Sequence, residues 1–177
     1  MVSVRVRRLT WSDYSACRFM FEDVFDVTEL KRFCSDWKTR SEQYSYIAVY
    51  LDTVVGFALV GSNNDIHYIC VHQDFQNHKI GTLLLEKVLE SMSHERRVYL
   101  VTAEDKRLTD WYGKYGFEVT KNYQYDSAYS GSDMVLRQRC RSHTTVETGD
   151  SRNRGSSGAG GQGSTESYCS EPTSSEQ

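Results

Sequence analysis

No run of apolar residues in this chain approaches the roughly 18 needed to span a bilayer as a helix. Excess positive charge is also missing. The net charge is −3, so nothing draws the chain as a whole to nucleic acid or to an anionic membrane. The five cysteines lack the close paired spacing of a disulfide framework, which points to reduced thiols. The opening MVSVRVRRLT is too polar and too alternating for a secretory signal. A soluble intracellular protein is expected, cytoplasmic or nuclear. No G-x-x-x-x-G-K-[ST] stretch occurs, which argues against a P-loop nucleotide triphosphatase. Cys70, His72 and His78 do not have structural zinc spacing, so no metal is expected.

What is present is enough for one core in 177 residues. Composition shifts sharply near Cys140. The remainder is dominated by Ser, Thr and Gly, with Val146 and Tyr168 nearly its only bulky apolar residues. Such a segment buries too little surface to offset its ordering entropy. The expected division is a folded domain over 1–141 and a disordered Ser/Gly-rich tail over 142–177, a solvated tether or a site of Ser/Thr modification.

Within the domain the hydrophobic period alternates between two and 3.6 residues. Val2, Val4 and Val6 read as a strand. Thr10 to Asp13 offer capping oxygens before a helix to about Asp26, and TELKRFCSDWKTR reads as a second helix. YSYIAVY and TVVGFALVG flank a tight turn, a hairpin. DIHYICV is a buried strand. Leu83, Leu84, Leu85, Val88, Leu89 and Met92 share one face of the helix that follows. RRVYLVT, FEVTKNY and DMVLRQR are further strands, with a helical KRLTDWYGKY among them and Gly116 as its stop. The expected fold is α/β, a sheet of mixed direction.

Between DIHYICV and its helix lies QNHKIGT. A helix N-terminus carries unpaired N–H groups and partial positive charge, so the loop could cradle a phosphate. Gly81 would allow close backbone approach, whereas Lys79 stands where a second glycine would serve. Taken alone, an ordinary strand-to-helix turn is the better reading.

The loop does not stand alone. VHQDFQNHKIGTLLL, followed downstream by WYGKYGF, resembles the GNAT superfamily of acetyl-CoA-dependent N-acetyltransferases. Gln76, Lys79 and Gly81 fall on the marked positions of its Q/R-x-x-G-x-G/A loop, with Lys79 departing from glycine. Trp111, Tyr112, Gly116 and Phe117 match its aromatic-Tyr-x-x-x-Gly-Phe segment. The resemblance implies a GNAT-like mixed sheet with an N-terminal antiparallel part, a splayed parallel strand pair and flanking helices. It implies acetyl-CoA as co-substrate. Ile69, Cys70 and Val71 would meet the acetyl-pantetheine arm, and Asn77, His78, Lys79, Ile80, Gly81 and Thr82 the pyrophosphate.

Acetyl transfer to an amine needs a base for the ammonium, an N–H donor for the oxyanion and an acid for the leaving thiolate. Alternation would place Asp65, His67, Ile69 and Val71 on one face of the strand. By resemblance Asp65 and His67 occupy positions where family members carry a catalytic Glu or His. An imidazole, titrating near about 6.5, suits the task. Asp65 would orient it or attract the ammonium. The plain alternative is a turn aspartate and a core histidine. Tyr112 matches the family's recurrent tyrosine beside the thioester sulfur and is the candidate acid; otherwise it is a helix aromatic. The oxyanion donor would be the backbone N–H of Cys70 or Val71. Asp105 stands where relatives often have a cofactor-bonding Asn, a role it is not expected to share.

The expected function is transfer of acetyl from acetyl-CoA to a primary amine by direct attack in a ternary complex. The amine stays open: a small amine, an amino sugar, or a protein or peptide amine, with Tyr123, Tyr125 and Tyr129 as a wall for it or as hairpin packing. WYGKYGFEV also resembles the glucosamine 6-phosphate N-acetyltransferases. The competing reading is a silent acyl-CoA-binding module recruiting partners through its tail. A homodimer is left open.

Overall fold

The computed structural model describes residues 3–25, 27–103, 105–124 and 130–138. The tail, Tyr125 and Tyr129 lie outside them, so the readings made there concern undescribed residues.

Seven strands form one sheet: β1 (Arg5–Arg8), β2 (Tyr46–Tyr50), β3 (Thr53–Val60), β4 (Asp65–Val71), β5 (Arg97–Ala103), β6 (Glu118–Gln124) and β7 (Ser130–Arg137), in the order β1-β2-β3-β4-β5-β7-β6. Every neighbouring pair is antiparallel except β4 and β5. The expected mixed sheet, with its antiparallel N-terminal part and its one parallel pair, is what the chain forms. The helices are α1 (Tyr14–Val24), α2 (Leu30–Thr39), α3 (Ile80–Ser91) and α4 (Lys106–Gly113). No helix among the described residues is long and apolar enough to cross a membrane.

Two apolar layers form, one on each face. On one face α1 and α2 contribute Cys17, Phe21, Phe33 and Trp37, which pack against Ile47, Phe57, Leu59 and Cys70 of the sheet. On the other, α3 contributes Ile80, Leu84, Leu85 and Val88, which meet Ala48, Ala58, Val98 and Leu100. The α3 face differs slightly from the expected one. Leu83 is exposed and Ile80 buried, because the i, i+4 row through 80, 84 and 88 is the one aimed at the sheet. Cys17, Cys34 and Cys70 are free thiols.

Helices α1 and α2 stop short of β5. Along β5 burial alternates strictly, with Val98, Leu100 and Thr102 buried on the α3 face and Tyr99 and Val101 open on the opposite face. Among the described residues, that half of the sheet is therefore bare on the side of α1 and α2.

Helix α3 is held close to β3 by Gly56, where an added Cβ would lie 3.0 Å from the Cys70 carbonyl oxygen and 3.2 Å from side-chain carbons of Ile80 and Leu84. The Gly56→Ala variant is expected to unfold at lower denaturant, by about 1–3 kcal/mol of overpacking, in an equilibrium urea titration.

Candidate functional site

Strands β4 and β5 pair only at Asp65 with Tyr99 and Ile66 with Leu100. Beyond Ile66 they diverge, while β4 stays paired to β3 as far as Val71. The ladder fixes which backbone groups face the gap. His72 donates its N–H to Val55, so by antiparallel alternation Cys70 bonds Phe57, whereas Ile69 and Val71 turn their N–H and C=O away from β3. The Val71 carbonyl accepts from the Gln76 side-chain amide at 3.4 Å, which agrees. Of the two oxyanion donors expected, the alternation favours Val71, joined by Ile69, and assigns the Cys70 N–H to the ladder. The Cys70 side chain is buried in the α1–α2 layer, and burial pushes its thiol up to about 12, which suits packing rather than nucleophilic chemistry.

At the end of β4 the chain turns through QNHKIGT into α3. Asn77 and Lys79 both adopt left-handed conformations, with φ of 63° and 62°. Lys79 is the N-cap of α3 and makes no side-chain cap. Among the described residues, the backbone N–H groups of Asn77 to Thr82 find no acceptor. A loop of this shape with free N–H groups at a helix start is an anion-binding concavity. Gly81 lies in the first turn of α3, where a Cβ would meet Val71 and the Trp111 ring at ordinary contact distances of 3.8 and 3.9 Å. The end of β4, the start of α3 and α4 thus meet at one mouth of the gap. Arg7 and Arg8 are engaged elsewhere, Arg7 with Asp13 and Arg8 with the Glu42 carbonyl and the Tyr46 ring.

The expectation that Asp65, His67, Ile69 and Val71 share a face does not hold. Leu59 pairs with Tyr68 but Val60 with Ile66, so His67 is an extra residue, a β-bulge. Ile66 and Ile69 consequently both pack on the α3 side, while His67 turns towards α2. There its Nδ1 lies 3.2 Å from Asp36 Oδ2. Tyr68 donates its hydroxyl to the same oxygen at 2.7 Å. Asp65 pairs beside the exposed Tyr99. Burial raises its carboxyl above the ordinary range; the nearby His67 opposes this and the like charge of Asp133 adds to it. Asp133, on β7, accepts the Tyr123 hydroxyl. The open sheet face beside the gap therefore gathers Asp36, Asp65, His67, Tyr99, Tyr123 and Asp133. Sequence reasoning missed Asp36 and Asp133, since nothing near either in the chain marks it.

Tyr112 lies on α4, on the other side of the sheet. It packs against Trp111 and Phe117, with ring centroids 4.6 and 5.8 Å away. Burial pushes its phenol up to about 12, so it stays protonated at neutral pH. Its hydroxyl forms no hydrogen bond among the described residues. Asp105, for which no cofactor role was expected, caps α4 by accepting the Arg107 N–H at 2.8 Å.

These features have counterparts. The sequence model of the family described as acetyltransferase (GNAT) domain matches residues 13–138. Ard1 from Thermoplasma volcanium is 17% identical with a TM-score of 0.67, over 78% of this chain and 99% of that one. The ribosomal-protein-S18-alanine N-acetyltransferase from Escherichia coli is 17% identical with a TM-score of 0.65, over 76% and 94%. Arabidopsis thaliana Naa50, solved in complex with the bisubstrate analogue CoA-Ac-MVNAL, is 19% identical with a TM-score of 0.62, over 76% and 98%. No curated protein matches the sequence.

The left-handed conformation at Lys79 is costly for a side chain with a Cβ, by about 1 kcal/mol. Lys79→Gly is expected to melt above both the wild type and Lys79→Ala in differential scanning calorimetry, by about 1 kcal/mol of stability. The alanine variant separates the conformational effect from loss of the ammonium.

Proposed function

Because the chain belongs to the GNAT acetyltransferase family, whose members use acetyl-CoA, we propose that it transfers acetyl to the α-amine of a peptide or protein through the gap between β4 and β5. The observation that carries this reading is the arrangement of that gap: unpaired β4 backbone at its edge, free loop N–H groups at one mouth, and an uncovered sheet face beside it. The residues present fit acetyl-CoA. Backbone N–H groups of Asn77 to Thr82 would hold the pyrophosphate, and Ile69 and Val71 would line the pantetheine arm, while Cys70, expected beside them, is taken up by β3 and the α1–α2 layer.

When bound, acetyl-CoA supplies the acetyl group as a thioester. The amine approaches from the open face, where Asp65 and Asp133 favour a cation. His67 takes the proton from the ammonium, directly or through water, and leaves a nitrogen lone pair free to attack the carbonyl carbon. The N–H groups of Val71 and Ile69 stabilise the charge that develops on the carbonyl oxygen. Tyr112 gives its proton to the departing sulfur as the C–S bond breaks, the new amide nitrogen loses its second proton to solvent, and Tyr112 regains one from solvent. Acid and base lie on opposite sides of the sheet, which suits direct attack with the amine and the thiol on separate sides.

A peptide amine is favoured over an amino sugar by two observations. The turn between β3 and β4 spans only residues 61–64, so that connection is too short to close over the bare half of the sheet. The neighbours from Escherichia coli and Arabidopsis are, by their descriptions, an enzyme acting on a ribosomal protein's alanine and one bound to a peptide-bearing analogue. The likeness to glucosamine 6-phosphate enzymes finds no such support.

Thiol release from acetyl-CoA tests the reading with pentapeptides of varied first residue (MVNAL among them), glucosamine 6-phosphate and putrescine. Turnover with peptides is expected; turnover with glucosamine 6-phosphate alone would restore the amino sugar, and release with none would favour a silent acyl-CoA-binding module. With the fastest peptide, Tyr112→Phe and His67→Ala are each expected to lower kcat by about 100-fold. Unchanged kcat in either would remove that residue from the chemistry.

A further inference from the structure

We propose that Asp36 is the positioning residue for the acceptor-side imidazole, holding His67 with its proton on Nδ1 and its lone pair on Nε2. The proposal builds on the reading of His67 as base. Asp36 comes from α2, and its side chain is 14% exposed. The Tyr68 hydroxyl donates to its Oδ2 at 2.7 Å, and His67 Nδ1 and Arg32 Nε lie 3.2 and 3.9 Å from the same oxygen. The Tyr68 bond pins that oxygen. Tyr68 is itself fixed by Phe21, Phe25 and Phe33, with ring centroids 5.1, 5.7 and 5.8 Å from its own.

A neutral imidazole carries one proton, and the group facing each nitrogen decides where it sits. A bare lone pair on Nδ1 would lie 3.2 Å from a carboxylate oxygen, which is repulsive. The proton therefore resides on Nδ1, and Nε2 is left to accept. The other edge of the ring has its own provision. A Cβ at residue 61 would lie 2.2 Å from Nε2. Gly61 is not in a left-handed conformation, so its backbone has no need of glycine; the missing side chain is what gives the ring its place. The bulge at His67, the bare Cα of Gly61 and the carboxylate of Asp36 all serve one orientation.

The test uses the full chain labelled with 15N-histidine. Long-range 1H–15N spectra distinguish the two tautomers by the shifts of the ring nitrogens. The wild type is expected to show His67 as the Nδ1–H form. Asp36→Asn keeps the size and an acceptor for Tyr68, and its amide N–H can face Nδ1, so the ring is expected to move towards the Nε2–H form. Tyr68→Phe keeps the carboxylate and is expected to retain the Nδ1–H form, which controls for general loosening of α2. With the fastest peptide of the panel, Asp36→Asn is expected to lower kcat at least about 10-fold while KM for acetyl-CoA changes by less than about twofold. A wild-type ring in the Nε2–H form overturns the proposal without any variant having to fold. So does a folded Asp36→Asn protein with the wild-type tautomer. A tautomer switch with kcat unchanged supports the hold of Asp36 on His67 and overturns instead the reading of His67 as base.

Discussion

The site depends on one unmet hydrogen-bonding requirement. A strand inside a sheet ordinarily has partners on both sides, yet β4 loses its β5 partner after Ile66 and keeps only β3. The outward N–H groups of Ile69 and Val71 and the Ile69 C=O then need another partner, the Val71 C=O being met by the Gln76 side chain, since unpaired backbone groups are costly away from water. A ligand with amide groups can supply one. The divergence is kept open by packing on both sides: α3 is drawn against β3 by Gly56, and β5 is claimed along its whole length by β7. Neither strand can close the gap without breaking these contacts.

The bulge at His67 follows from a second conflict. Ile66 must face α3, where Val60 and Leu100 pack, and Ile69 must face α3 as well. They lie three positions apart, an odd offset, and a regular strand would place them on opposite faces. The extra residue resolves the mismatch by carrying His67 out of the alternation. The same step sets a titratable ring against α2, where Asp36 and Tyr68 meet it. A packing requirement in the core thereby selects the chemistry available on the acceptor side.

Strain and polarity combine in the loop. Two non-glycine residues in left-handed conformations, Asn77 and Lys79, are disfavoured singly, Asn least. They persist because α3 and β4 fix the ends of the turn, burying Ile80 on one side. The outcome is a row of N–H groups directed outward at the positive end of a helix. A glycine at 79 would form the same row with less strain, so the loop's shape belongs to the surrounding elements and not to that residue alone.

Much of this was legible from residue types and their spacing: the alternating elements, the buried strand DIHYICV running into an amphipathic helix, the loop between them and the tyrosine of WYGKYGF. These are local patterns, and period and composition report them directly. The face to which His67 belongs was not legible, because a bulge arises from a disagreement between strands distant in sequence. Asp36 and Asp133 were invisible for the same reason; each gains meaning only from a neighbour brought in by folding, Tyr68 for one and Tyr123 for the other. By itself the sequence determined the elements, their order and the family they belong to, because hydrophobic period and short motifs are properties of contiguous residues. Only the tertiary structure decided which side chains face the reacting atoms, because register, bulges and cross-sheet neighbours are settled by packing between residues far apart in the chain.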